Sequence, residues 1–196
     1  MNHAALLNLF IQDALEYLNE NNLKLDAVAV SSGPGSYTGL RIGVSTAKGL
    51  CYGFGIPLIS VSTLEVMALA AIDQTNKIEK SIFCPMIDAR RMEVYAAFYD
   101  SNLLKKRDIQ ADIIDNESYK DILDENIVYF FGNGMEKCSE LLAHSNSLFI
   151  NDINPLAINM INLSVKAYSE EKFEDIAYFE PFYLKEFHMT TPRKKY

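Results

Sequence analysis

The chain has no tryptophan and, in 196 residues, only three histidines, three cysteines and six prolines. His3, His144 and His188 stand far apart. No His-Glu-x-x-His, His-x-x-x-His or Cys-x-x-Cys spacing occurs, so the sequence offers no metal-ligand motif. The absence of Gly-x-Ser-x-Gly leaves a hydrolase nucleophile elbow without a foothold. Cys51, Cys84 and Cys138 are odd in number, widely spaced and set in apolar stretches. That pattern reads as reduced thiols filling the core of a cytoplasmic protein, not as a disulfide framework. No apolar run reaches the ~20 residues of a membrane helix, and Met1-Asn2-His3-Ala4 lacks the basic start of a signal peptide.

Positive charge is also in short supply. Lys and Arg total 18 against 26 Asp and Glu, a net charge of −8. Such a chain repels phosphate backbones at long range, which argues against a stand-alone nucleic-acid binder. The local exceptions are Lys105-Lys106-Arg107 and Arg193-Lys194-Lys195. Clusters this small read as solvated turns and termini.

What is present is apolar residue, 49% of the chain and spread along its length, enough for a packed core. Periodicity predicts a helix over 4–20, a strand over 26–32, a glycine-rich turn at 33–39 and a helix over 40–54. A strand over 57–61 follows, then a helix through Ile72 opened by the capping box Ser62-Thr63-Leu64-Glu65. The second half reads as strands over 82–87, 92–99 and 103–109, a helix over 117–123, and a strand over 127–131 closed by Gly132-Asn133-Gly134. A helix over 135–143, a strand over 148–150 and a helix over 155–168 complete it. Residues 174–196 are aromatic-rich and irregular.

Laid side by side, the halves repeat. Strand, Gly-x-Gly, helix, strand, helix occurs in both, and the second half adds three leading strands. Three consecutive strands imply an antiparallel meander, which a conventional doubly wound sheet would not explain. The sequence therefore divides into 1–75, a first subdomain; 76–173, a second; and 174–196, a tail.

The first helix sweeps an apolar arc far wider than the ~100° a surface helix needs. Leu6, Leu7, Phe10, Ala14 and Tyr17 lie in it. The helix after the glycine turn is apolar over most of its circumference, with Gly43, Ala47 and Leu50 on it and small residues that permit close approach. Surplus apolar surface on two adjacent helices points to a helical partner. The alternative is that both are sandwiched within the chain itself.

Two segments are candidates for ligand chemistry. The first is Gly33-Pro34-Gly35-Ser36-Tyr37-Thr38-Gly39-Leu40-Arg41, between a strand and a helix, with Gly33, Pro34, Gly35, Ser36, Thr38, Gly39 and Arg41 as its characteristic residues. Glycines there let backbone amides approach an anion at the helix start. It is neither a Walker loop nor a dinucleotide fingerprint. A tight turn with close helix packing and a phosphate contact in a complex both remain open. The second is Asp88-Ala89-Arg90-Arg91. Asp88 suits a turn start, and Arg90 and Arg91 could grip a phosphate or carboxylate, or form surface ion pairs.

The stretch Ala29 to Gly43 resembles the signature segment of the TsaB (YeaZ) family. Ala47-Lys48-Gly49-Leu50, Gly55-Ile56-Pro57-Leu58, Val61 to Glu65, Ile87 to Tyr95 and Glu180 to Lys185 are similar to it as well. The resemblance implies an α/β actin-like ATPase/RNase H-like (ASKHA) fold of two similar subdomains. It also implies a first subdomain without its three opening strands, since family members start with a strand and hairpin that are not seen here. It implies a non-catalytic subunit of the machinery that transfers threonylcarbamoyl to N6 of adenosine 37 in tRNAs reading codons that begin with adenine. The partners implied are a TsaD-type catalytic paralogue in a heterodimer and a TsaE-type ATPase, with tRNA met indirectly through the complex. ATP and a metal belong on those partners, and no cofactor, metal or catalytic residue is expected on this chain. The pairing surface maps to residues 4–18 and 41–53, and a homodimer in the partner's absence stays open. The competing readings are a small-molecule kinase or ATPase on the same fold, and an M22-type metalloprotease. The first would want an Asp-bearing first strand and the second clustered histidines.

Overall fold

The computed structural model describes residues 3–75 and 80–185. His188 and the Arg193-Lys194-Lys195 cluster lie outside them. The elements run α1 His3–Glu20, β1 Val28–Gly33, α2 Tyr37–Phe54, β2 Leu58–Ser62 and α3 Thr63–Gln74. They continue with β3 Ser81–Asp88, β4 Glu93–Asp100, β5 Lys105–Ile113, α4 Lys120–Glu125, β6 Ile127–Phe131, β7 Ser147–Ile150 and α5 Ile161–Ser169. Short 3₁₀ turns occupy Glu136–Cys138 and Ala157–Met160.

The element order matches the expectation, and the departures have local causes. The helix expected over 135–143 is only the 3₁₀ turn at Glu136–Cys138. Met135, Cys138 and Leu142 are all drawn into the core, and a segment this short gains little from helical propensity. The third strand of the second half starts at Lys105 rather than Leu103. The Asp100 carboxylate accepts from the backbone N–H groups of Asn102 at 2.9 Å and Leu104 at 3.0 Å, closing a turn in which Leu103 is left-handed. The last helix is α-helical only from Ile161. Ser62 is at the N-cap of α3 but makes no side-chain capping bond. Neighbouring Thr63 instead shares a 2.6 Å hydroxyl–hydroxyl hydrogen bond with Ser31, tying α3 to β1.

The described strands form two sheets, β1-β2 and β5-β4-β3-β6-β7. In the larger one β3, β4 and β5 are antiparallel and β6 and β7 parallel to β3. Strands β1 and β2 are parallel like β6 and β7, so the duplication read from the sequence is present in the topology. The first sheet holds two strands where the second holds five. Strand β3 is buried from Ser81 to Met86, as a central strand must be. Its pairing with β4 lapses at Cys84 and Pro85, where proline has no N–H to donate. Edge strand β5 carries Lys105, Lys106, Arg107 and Asp108, charges that discourage edge-to-edge aggregation.

The larger sheet is covered on both faces. One core gathers Cys84, Met86, Val94, Phe98, Phe130 and Cys138. The other packs α3, through Leu64, Met67 and Ala71, on Phe83, Ala97 and Phe131. All three cysteines are buried and free, as expected. Helices cross between halves: α3 lies on the second sheet, while Leu163 and Ala167 of α5 pack on Ile59 and Val61 of the first.

Residues after α5 return to the first half. Glu174 N–H donates to the Leu58 carbonyl at 2.8 Å, and Ser60 Oγ to the Glu174 carboxylate at 2.5 Å. Ile176 and Phe179 pack with Ala47, Cys51 and Leu58. Lys48 Nζ donates to the carbonyls of Ala177 at 3.3 Å and Phe179 at 2.9 Å.

Candidate functional site

Three features bring the predicted residues together: a cleft, a turn beside it and a bare helical face. The cleft, of about 390 Å³, opens between the halves. On one wall are Pro34, Gly35, Ser36, Gly39 and Gly43, and on the other Ile87, Asn133, Ile153 and Asn154, with Met67 and Thr63 of α3 between them. The two strand-end glycine turns thus face one another. Ser36 is the N-cap of α2, accepting from Gly39 N–H at 3.4 Å. This starts the helix at Tyr37, one turn earlier than expected. Thr38 is exposed. Arg41 donates to Tyr37 Oη at 2.8 Å. Gly33 has φ +110°, and a Cβ there would come within 2.8 Å of the Phe182 carbonyl.

The Asp88 turn adjoins the cleft. Asp88 N–H donates to the Asn133 side-chain oxygen at 2.9 Å, and Asp88 Oδ1 accepts from Arg90 N–H at 2.9 Å. The ammonium of Lys137 pairs with the Asp88 carboxylate and donates to the carbonyls of Arg91 at 2.6 Å and Glu93 at 2.7 Å. That ammonium, by its direct hydrogen bond, holds the Asp88 carboxyl below its ordinary pKa. Glu93 in turn pairs with Lys185. Among the described residues Asp88 therefore finds its ion pair in Lys137, while Arg90 and Arg91 remain exposed. Lys137 escaped notice in the sequence because nothing local ties it to residues on the β3–β4 turn.

The basic cluster on β5 is neutralised within the chain. Lys105 pairs with Asp108 at 2.9 Å, Lys106 with Asp100 at 2.9 Å and Arg107 with Asp112 at 2.5 Å. Arg107 also stacks over Phe98 at 4.3 Å, and Tyr119 Oη donates to Asp112 at 2.5 Å.

The helical face is split. On α1, Leu9, Phe10 and Tyr17 are 55%, 65% and 61% exposed. Ala14 is exposed too, and Leu6 and Leu7 half-buried. On α2, Leu50 is half-buried, and the C-terminal turn bares Tyr52 and Phe54. Ala47 corrects the reading of this face: it is 4% exposed and packs inward on Leu58 and the returning tail. Gly43 faces Val30 and the cleft. Helical spacing could not tell the inner side of α2 from the outer, because both are apolar.

Among the described residues no group of three or more His, Cys, Asp or Glu is placed to hold a metal. No described helix is long and apolar enough to cross a membrane.

The TsaB protein of tRNA threonylcarbamoyladenosine biosynthesis from Escherichia coli is 30% identical over 197 residues, spanning 93% of this chain and 80% of the relative. The chain belongs to the TsaB (YeaZ) family. Haemophilus influenzae TsaB is 28% identical, over 83% of this chain and 71% of its own. Bacillus subtilis TsaB is 41% identical over a shorter stretch, 38% of this chain and 31% of its own. A family model described as "TsaD: tRNA N6-adenosine threonylcarbamoyltransferase" matches residues 1–179. YeaZ from Pseudomonas aeruginosa superposes with a TM-score of 0.76 at 22% identity, covering 93% of this chain and 84% of that one. A second Pseudomonas aeruginosa structure, described as similar to peptidase YEAZ, gives 0.78 at 22% identity over 94% and 85%. The fold is the actin-like ATPase/RNase H-like (ASKHA) α/β fold.

Proposed function

We propose that this chain is the non-catalytic scaffold and activator subunit of the complex that transfers threonylcarbamoyl to N6 of adenosine 37, in tRNAs reading codons that begin with adenine. Its relatives are named for tRNA threonylcarbamoyladenosine biosynthesis. The observation that carries the scaffold reading is the apolar face of α1 and the end of α2, with Phe10, Tyr17 and Tyr52 each more than half exposed. A second helical chain covering that face would remove it from water, and apolar burial is the main driving force of such association.

In this reading the partner is a TsaD-type paralogue of the same architecture, and α1 with the outer side of α2 forms a helical heterodimer interface through Leu6, Leu7, Phe10, Ala14, Tyr17 and Leu50. ATP and a metal sit on the partner subunits, a TsaE-type ATPase joins them, and tRNA reaches this chain through the complex, in the cytoplasm. The glycine loop from Gly33 to Arg41 acts as a structural closure: Ser36 caps α2, and the tail lies against Gly33.

The test is co-expression with the catalytic paralogue, followed by a tRNA threonylcarbamoylation assay with and without this chain. Modification that needs both proteins is the expected result. Full modification by the paralogue alone would overturn the activator role.

A further inference from the structure

The turn between β3 and β4 presents two successive non-glycine residues in the left-handed region, Arg90 at φ +73° and Arg91 at φ +51°. Such backbone is costly for residues with a Cβ and persists only where surrounding contacts enforce it. Here Lys137 enforces it from beneath, holding the Asp88 carboxylate and the Arg91 and Glu93 carbonyls together. Four cations, Arg90, Arg91, Lys137 and Lys185, share this corner with two carboxylates. Asp88 is taken by Lys137 and Glu93 by Lys185. Both arginine guanidiniums are left without a hydrogen bond or ion pair among the described residues. The other two described arginines are engaged, Arg41 by the Tyr37 hydroxyl and Arg107 by Asp112. On a chain of net charge −8, a turn whose two arginine guanidiniums make no hydrogen bond or ion pair among the described residues, that of Arg90 acting on Asp88 only through space, is a local inversion of sign.

We propose that the Arg90–Arg91 turn is a phosphate-oxyanion site that holds a backbone phosphodiester of the tRNA while the complex acts on it. This rests on the subunit reading above. A guanidinium matches a phosphate with paired N–H donors, and phosphate contacts set the register of a nucleic acid without reading its sequence. An acidic chain gathers tRNA poorly by itself, so the contact positions a tRNA already delivered to the complex. The adjoining cleft could supply the same phosphate chemistry from a nucleotide, and the test separates the two sources.

The complex of this chain with its transferase paralogue is titrated with transcribed tRNA, by fluorescence anisotropy across a salt series, for wild type and for R90Q/R91Q. The same complexes are titrated with ATP. The double variant is expected to bind tRNA about tenfold more weakly at low salt. Its slope of log affinity against log salt is expected to be shallower by about one to two. The R90K/R91K variant keeps the slope, because the charges remain, and ATP affinity does not change. An unchanged tRNA slope in an intact complex would overturn the site alone, as would a loss confined to ATP. A wild-type chain that forms no complex would overturn the subunit reading and this site with it.

Discussion

The backbone N–H of Phe182 donates to the carbonyl of Ser32 at 2.7 Å, and the Phe182 carbonyl lies where a Cβ on Gly33 would have to go, at 2.8 Å. The last described stretch of the chain is thereby fastened to the end of β1, beside the glycine loop. Gly33→Ala should destabilise the protein by about 2 kcal/mol or more. It combines a φ of +110° with a backbone clash that no side-chain movement relieves. Denaturant unfolding measures the loss. Protease sensitivity between residues 174 and 185 should rise with it. A variant as stable as wild type, with the tail still protected, would show that this contact does not hold the segment.

Phe10 is 65% exposed on α1. Phe10→Asp, or Leu6→Asp on the same helix, should abolish co-purification with the catalytic paralogue. For Phe10→Asp the thermal midpoint of the free chain should stay close to wild type, because exposed substitutions usually lie within about 0.5 kcal/mol. Retained co-purification would remove α1 from the interface.

Asp112 is shared between the Arg107 guanidinium and the Tyr119 hydroxyl, in a half-buried site where Arg107 stacks on Phe98. Asp112→Ala leaves a largely desolvated cation without its partner, and breaking such pairs costs about 3 kcal/mol. Urea unfolding should show a loss of that order. A change below about 1 kcal/mol would mean that water replaces the carboxylate without difficulty.

The Asp88 carboxyl sits below its ordinary pKa because the Lys137 ammonium hydrogen-bonds its charged form. A depressed carboxylate contributes stability that is fully present above its unfolded pKa of about 3.9, and that is lost as pH falls through the folded value. Lys137→Met should move the Asp88 pKa upward toward that ordinary value, as read by carboxyl ¹³C NMR titration. The turn should also loosen at neutral pH, visible as faster amide exchange at Arg90 and Glu93. An unmoved Asp88 titration would show that its remaining bond, from Arg90 N–H, is sufficient.

The order of elements, the duplication and the family were legible in the sequence. All depend on local pattern: periodicity for α1 and β3, turn chemistry at Gly33-Pro34-Gly35 and Gly132-Asn133-Gly134, and the long run from Ala29 to Gly43. The exposed apolar stripe of α1 was legible too, because one helix carries it in consecutive turns. Tertiary structure alone decided that Ala47 faces inward while Phe54 faces out, since α2 is apolar on both sides and only the tail's return along it selects the inner face. It also decided that α3 serves the second sheet and α5 the first, and that Lys137 rather than an arginine answers Asp88. These are meetings between residues far apart in the chain. Residue type specifies what each can bond to, but only packing of the two halves fixes which of them come within reach.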